Sequence, residues 1–200
     1  PKTVKRMHIQ KLCEQDFQHL ERTVHALHPF LEAVASQLRW LNLGGGHLVT
    51  RHDYERTALA ELTNALAQTY DVQVFLELGT AVAFDAGILV GEVLDVMDNE
   101  GPVAVLDVSA TCHMPDILEA PYRPALRDEC LGGQAVRLGG PSCRAGDVIG
   151  TYGFDALPQA GDRLAFLDQA HYSMVKTTTF NGVPLPALAI WNSDTDALRM

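Results

Sequence analysis

The 200-residue sequence lacks the features that would tie it to a membrane or to a nucleic acid. It has no run of about 18 apolar residues, so no transmembrane helix is predicted. The positive charges near Pro1 are followed by no apolar segment, which argues against a signal peptide. The formal net charge is −10, whereas nucleic acids and anionic membranes attract basic surfaces. Both classes of partner are therefore excluded.

Cysteine is also sparse, and its spacing excludes a disulfide framework. The four cysteines are Cys13, Cys112, Cys130 and Cys143. None of them belongs to a CxxC pair, so reduced thiols and a cytoplasmic location are expected. The adjacent pair Cys112 and His113 is poorly placed to bind one tetrahedral metal. No metal site is predicted.

What the sequence does contain is an alternation of strands and helices over its first 80 residues. A short strand is predicted over 7–13, and apolar residues at alternating spacings of three and four predict a helix of about 24 residues after it. Pro29 lies inside that helix and is expected to kink or break it. Further strands over 40–43 and 72–78 flank a second helix. This order predicts parallel strands joined by crossover helices.

The pattern changes after Gly79, where short β-rich runs alternate with turn residues. The predicted strands cover 88–96, 103–108, 134–138, 148–152, 163–167, 172–180 and 187–191. Such spacing is typical of a mostly antiparallel β domain. Two domains are therefore predicted, over residues 1–80 and 81–200.

Two features of the first domain could bind a ligand. Gly44, Gly45 and Gly46 lie between a strand and a helix, where backbone N–H groups can approach a phosphate. A tight turn would explain the glycines equally well. Glu77 ends the apolar strand VFLELG, and in a (β/α) barrel that edge of the strands is the catalytic one. A solvated strand end is the alternative for Glu77.

The second domain carries several polar loops. Asp107, Cys112, His113 and Asp116 fall in LDVSATCHMPD, Cys143 and Asp147 in GGPSCRAGD, and Tyr172 in QAHYSMVK. Each loop taken alone is compatible with a surface turn. Their combination favours a functional site.

The order of five motifs is similar to that of the carboxynorspermidine/carboxyspermidine decarboxylase family. The motifs are WLNLGGGHLVTRHDYE, FLELGTAVAFDAG, SATCHMPDILEAPYRP, GGPSCRAGDVIG and AHYSMVKTTTFNG. The resemblance covers nearly the whole chain. It implies an alanine-racemase-like architecture, in which the C-terminal part of a (β/α)8 barrel precedes a mostly antiparallel β domain.

The resemblance also implies pyridoxal 5'-phosphate as the cofactor. Glu77 would pair with the pyridinium nitrogen, which keeps the ring able to accept electrons. The implied phosphate ligands are Gly44, Gly45, Gly46, Gly79 and Tyr172.

Substrate contacts are implied for the second domain. Asp116 would contact an amine of the substrate, and Asp147 is a further candidate for binding this cation. Cys143 would act in catalysis by entering the active site of a neighbouring subunit, so a homodimer with shared active sites is expected.

Three departures from the family pattern bear on these expectations. Thr80 stands where the family has the second Glu of Glu-Pro-Gly-Glu, a substrate-binding position. Gln10 stands where a family histidine would lie against the cofactor ring. The lysine that binds the cofactor covalently is expected in the family's N-terminal half. The chain is therefore interpreted as a fragment that would be inactive alone.

The function implied by the resemblance is decarboxylation of carboxynorspermidine or carboxyspermidine in polyamine biosynthesis, by a pyridoxal-phosphate-dependent lyase. Two alternatives stay open. One is a decarboxylase of the same fold that acts on diaminopimelate or ornithine. The other is a non-catalytic binding or regulatory homologue.

Overall fold

A computed structural model describes residues 5–12 and 15–200 of the chain. It divides into two compact units, Pro1–Phe84 and Asp85–Met200, here called the N-terminal unit and the β unit. The sequence placed the boundary at residue 80, four residues earlier. Cys13, at the end of the first predicted strand, lies outside the described residues.

The N-terminal unit is a three-stranded parallel sheet with crossover helices. Its elements in chain order are β1 (Arg6–His8), α1 (Phe17–Val34), β2 (Trp40–Gly45), α2 (Arg56–Tyr70), β3 (Gln73–Glu77) and the short α3 (Gly79–Ala83). The strand order is β1-β2-β3, and both pairings are parallel. This topology confirms the predicted strand–helix alternation, although β1 is shorter than predicted.

Packing of α1 against the sheet explains why the N-terminal unit forms. The apolar side of α1 buries Phe17, Leu20, Val24 and Leu31 in one core with Leu41 of β2. Burial of each such side chain contributes roughly 1.5–3 kcal/mol. Of the kink or break predicted at Pro29, the break does not occur, since α1 continues as one helix across this residue. In the described part of the chain, no helix combines the length and apolarity that crossing a membrane requires.

The β unit is built on a five-stranded sheet. Its strands are β4 (Leu89–Asp98), β5 (Pro102–Leu106), β6 (Gln134–Gly139), β7 (Val148–Phe154) and β8 (Arg163–Phe166), in the order β7-β6-β5-β4-β8. Three pairings are antiparallel, and the β5–β6 pairing is parallel. The mostly antiparallel β domain is confirmed.

The segment that follows this sheet differs from the prediction. The strand predicted over 172–180 is wrong, because the chain forms the short helix α6 (Tyr172–Val175) and a 3-10 turn, Phe180–Gly182. The backbone N–H of Thr178 donates to the carbonyl of Cys112, and Asn181 has a left-handed φ of 55°. The hairpin of β9 (Ile190–Asn192) and β10 (Ala197–Arg199) ends the chain. Two further short helices, α4 (Ala110–His113) and α5 (Asp116–Glu119), follow β5.

Candidate functional site

The carboxyl ends of the three parallel strands meet at one edge of the N-terminal unit, where Glu77 is the last residue of β3. The side-chain Nδ2 of Asn42, on β2, donates to Glu77 Oε1 at 2.8 Å. The other carboxylate oxygen of Glu77 lies 3.6 Å from Nε2 of His8, on β1. The Glu77 side chain is 52% exposed. Glu77 is therefore a fixed carboxylate with room for a further hydrogen-bond donor.

Gly44, Gly45 and Gly46, here called the glycine loop although the first two end β2, lie against this strand end. A Cβ at Gly44 would fall 2.4 Å from the carbonyl oxygen of Ile9, and a Cβ at Gly45 would fall 2.2 Å from the carbonyl oxygen of Glu77. Gly44 also has φ +74°, which L residues rarely adopt. Glycine is thus needed here for the loop to approach both neighbouring strands.

Two N–H groups of the glycine loop already have partners within the chain. Gly44 N–H donates to Asn42 Oδ1 at 2.8 Å, and Gly45 N–H donates to Gln10 Oε1 at 3.3 Å. A phosphate bound by Gly45 would have to displace Gln10, whose hydrogen bond is long and whose residue is exposed. Gly79 and Thr80 begin α3, two residues beyond Glu77.

In the β unit, three distant segments meet around the buried Ser109. They are residues 109–113, 142–147 and 178–184. Ser109 Oγ donates to Asp147 and accepts from the Cys112 N–H at 3.0 Å. His113 Nε2 lies 2.9 Å from the carbonyl oxygen of Pro184. The structure therefore brings together two of the polar motifs that the sequence singled out in this unit, those of Cys112 and of Asp147.

Asp147 is almost fully buried, and its carboxylate accepts hydrogen bonds from its own chain. The donors are Ser109 Oγ at 2.9 Å, Thr111 N at 3.0 Å and Ser142 N at 3.1 Å. Burial raises the pKa of Asp147, but hydrogen bonds from Ser142, Thr111 and Ser109 outweigh it and hold the pKa below its usual range. The geometry favours a structural role over the predicted contact with a cationic substrate.

Asp116 is better placed to accept a ligand. Its Oδ2 accepts a hydrogen bond from the Tyr122 hydroxyl at 2.7 Å. Its Oδ1 is buried and has no hydrogen-bond partner among the described residues. A buried carboxylate oxygen without a donor is costly, so an ammonium group there would be stabilising.

The remaining candidates differ sharply in exposure. Cys143 is exposed with φ +64°, and Tyr172, at the start of α6, is 58% exposed. His113 and Cys112 are buried. Because His113 Nδ1 accepts the Ser109 N–H, its Nε2 carries the proton and donates to Pro184. Burial lowers the pKa of His113, so the neutral ring links the Ser109 N–H to the Pro184 carbonyl in a structural role.

A family described as "Pyridoxal-dependent decarboxylase, C-terminal sheet domain" matches residues 21–170. The chain belongs to this family. It is 44% identical to carboxyaminopropylagmatine decarboxylase of Synechocystis sp. over 88% of this chain and 47% of that protein. It is 38% identical to carboxynorspermidine/carboxyspermidine decarboxylase of Campylobacter jejuni over 92% of this chain and 52% of that protein. The chain thus spans about half the length of these curated relatives.

Solved structures agree with this assignment. Carboxynorspermidine decarboxylase from Campylobacter jejuni, complexed with norspermidine, has a TM-score of 0.87 and 35% identity. That match covers 100% of this chain and 58% of the solved chain. The arginine decarboxylase of Paramecium bursaria Chlorella virus has a TM-score of 0.70 at 18% identity and supports the fold alone. The resemblance, the fold class and the pyridoxal cofactor are confirmed.

The residues of the N-terminal unit fit such a cofactor. Glu77 offers an exposed, oriented carboxylate to a protonated ring nitrogen. The glycines beside it carry no side chains of their own, and a phosphate bound at the Gly45 N–H would take the place of Gln10 Oε1. Sequence reasoning missed Asn42, which fixes both Glu77 and Gly44. The available signal was a polar residue within the apolar strand WLNLGG. It also missed Ser109, which precedes the singled-out Cys112 and His113 by only a few residues.

Proposed function

We propose that the whole protein containing this chain decarboxylates carboxynorspermidine or carboxyspermidine with pyridoxal phosphate as cofactor. The observation that carries the proposal is the Glu77 carboxylate, fixed by Asn42 beside the glycine loop. When bound, the cofactor supplies an electron-accepting ring for the electrons left behind as carbon dioxide departs. Glu77 holds a proton on the ring nitrogen, and this keeps the ring electron-poor.

Asn42 and Gly79 would support this arrangement. Asn42 orients Oε1 of Glu77, and the half-exposed carboxylate would face the ring nitrogen with Oε2, which lies 3.6 Å from His8 Nε2. The proposed phosphate ligands are the glycine loop, Gly79 and Tyr172, of which Gly79 lies at the start of α3 beside Glu77. Backbone N–H groups at such positions bind phosphate without needing a basic side chain.

For substrate binding, Asp116 is the strongest proposal in the β unit. Its Oδ1 has no donor among the residues that the structure describes, and a charge-assisted bond to an ammonium group contributes roughly 1.5–3 kcal/mol. Thr80 is the second residue of α3 and offers a hydroxyl where the family has a carboxylate. We therefore expect weaker binding of amines at Thr80 than in relatives that keep the glutamate.

Carboxyaminopropylagmatine is a second candidate substrate. The relative named for that substrate is 44% identical to this chain, against 38% for the Campylobacter carboxynorspermidine/carboxyspermidine enzyme. Agmatine ends in a guanidinium group, which is a planar multiple donor, whereas norspermidine ends in an ammonium group. A neutral hydroxyl at Thr80 can accept a hydrogen bond from either cation, so the two substrates are distinguished by measuring kcat/KM for each.

The assembly and location are also proposals. We propose a homodimer in which Cys143 enters the neighbouring active site, and the exposure of Cys143 supports this role. We place the protein in the cytoplasm, because Cys112, Cys130 and Cys143 are free thiols.

The test is a substrate panel on the purified full-length protein with pyridoxal phosphate. Carbon dioxide release would be measured with carboxynorspermidine, carboxyspermidine, carboxyaminopropylagmatine, diaminopimelate and ornithine. We expect the highest kcat/KM for one of the first three. A preference for diaminopimelate or ornithine would contradict the proposed substrate class. Absence of turnover on all five would favour the non-catalytic homologue.

A further inference from the structure

Ser142 is held at both of its backbone polar groups. Its side chain is fully buried, its N–H donates to Asp147 Oδ2 at 3.1 Å, and its carbonyl accepts from Asn181 Nδ2 at 2.8 Å. The two partners come from different parts of the chain. The position of the Ser142 backbone is therefore set by residues 147 and 181 together.

Cys143 directly follows this fixed residue and has an unusual backbone. Its φ is +64°, in the left-handed region that is unfavourable for a residue with a Cβ. A conformation of this kind persists where the surroundings over-determine it. The hydrogen bonds at Ser142 supply such a constraint, and they leave the Cys143 residue exposed.

The loop is built for close contact with Asp147. A Cβ at Gly140 would lie 2.4 Å from Asp147 Oδ2, so Gly140 has to be glycine for this contact. The Gly140 N–H donates to the Asp147 carbonyl at 2.9 Å, and the Asp147 N–H donates to the Arg144 carbonyl at 2.9 Å. Hydrogen bonds thus join the two ends of the loop from 140 to 147, and Cys143 lies between them.

We propose that Asp147 and Asn181 are positioning residues that fix the backbone at Ser142 and so set the direction of the Cys143 thiol. The inference rests on the proposed function, in which Cys143 takes part in catalysis. Asp147 and Asn181 do not touch the substrate in this account. They act on turnover through Cys143.

A double-mutant cycle in the full-length holoenzyme separates this role from general stabilisation. Asn181→Gly removes the amide donor at a residue whose φ of +55° suits glycine. If Asn181 acts on turnover through Cys143, Asn181→Gly should lower kcat about tenfold in the wild type. The same substitution should change kcat less than twofold in a Cys143→Ala background. Independent, multiplying effects of the two substitutions would overturn the proposal. Asn181→Asp, which keeps the side-chain size and removes the donor, should behave like Asn181→Gly.

The matched control is Asp128→Gly. Asp128 is exposed and has a φ of +60°, so it repeats the backbone change of Asn181→Gly away from the loop. Its kcat should match that of the wild type. A drop in the control equal to that of Asn181→Gly would mean that the backbone change is responsible, and this too would overturn the proposal.

Hydrogen exchange at the Ser142 amide provides a readout that does not depend on activity. Asp147→Asn should speed exchange at this amide by about tenfold or more, since one acceptor of the N–H is lost, whereas Asp128→Gly should leave it unchanged. Unchanged exchange in Asp147→Asn would overturn the anchoring of Ser142. Lack of turnover in the wild type would overturn the proposed function, and the exchange result would still decide the anchoring separately.

Discussion

Asn42 offers a specific test of how Glu77 is held. Its side chain donates to Glu77 Oε1 and accepts from the Gly44 N–H, so one amide fixes both the carboxylate and the glycine loop. Asn42→Asp keeps the acceptor for Gly44 and replaces the donor by a second carboxylate oxygen. At the 2.8 Å separation seen for Asn42, two carboxylates cannot both remain ionised. They would share a proton, and Glu77 would be partly neutralised.

The expected loss of activity follows from the lost hydrogen bond. A hydrogen bond to a charged group contributes roughly 1.5–3 kcal/mol, which corresponds to a fall in kcat of about 10- to 100-fold for Asn42→Asp. The pair would titrate with a raised apparent pKa, so part of the loss should be recovered as the pH rises from 6 to 9.

The assay for Asn42→Asp is kcat at saturating pyridoxal phosphate across this pH range, with Asn42→Ala as the control. Asn42→Ala lacks the second carboxylate, so its loss should not show the same recovery at high pH. Wild-type turnover at every pH in Asn42→Asp would refute the argument that Asn42 controls the charge of Glu77.

The further predictions concern the substrate and the buried carboxylate. Thr80→Glu should lower KM for carboxynorspermidine by about tenfold or more, at roughly 1.4 kcal/mol per decade. Asp116→Asn should raise the same KM. Unchanged KM values in steady-state kinetics would contradict the proposed contacts. Asp147→Ala leaves three donors without their acceptor and should cost about 3 kcal/mol or more of unfolding free energy in urea titrations, whereas the exposed Asp128→Ala should cost far less. Because folding lowers the pKa of Asp147, the ionised carboxylate stabilises the fold above the unfolded pKa of about 3.9, and this stabilisation is lost as the pH falls through the folded pKa. Identical acid unfolding of the wild type and Asp147→Ala would contradict this.

The fold could largely be predicted because its elements are governed by local periodicity. The apolar residues repeated at spacings of three and four in α1 correctly predicted a helix, and the apolar run before Glu77 correctly predicted a strand. The segment over 172–180 could not be predicted in this way. Its β-rich composition suggested a strand, but Thr178 and Asn181 bond to residues far away in the sequence, and these contacts select a different backbone.

The candidate site could be predicted only in part, for a related reason. The sequence singled out Glu77 and the glycine loop as candidates, because both lie at the end of a strand. It could not show that Asp147 is saturated by donors from residues 109–111, since this depends on how distant loops meet. The role of Asn42 depends in the same way on the pairing of β2 with β3.

The most direct test of the account is Glu77→Gln in the full-length enzyme. The substitution keeps the side-chain shape and removes the charge that we propose holds the ring nitrogen protonated. We expect kcat to fall by about a hundredfold, or roughly 3 kcal/mol, while the affinity for pyridoxal phosphate falls far less. Unchanged turnover in Glu77→Gln would show that Glu77 is merely the end of a strand and would contradict the account.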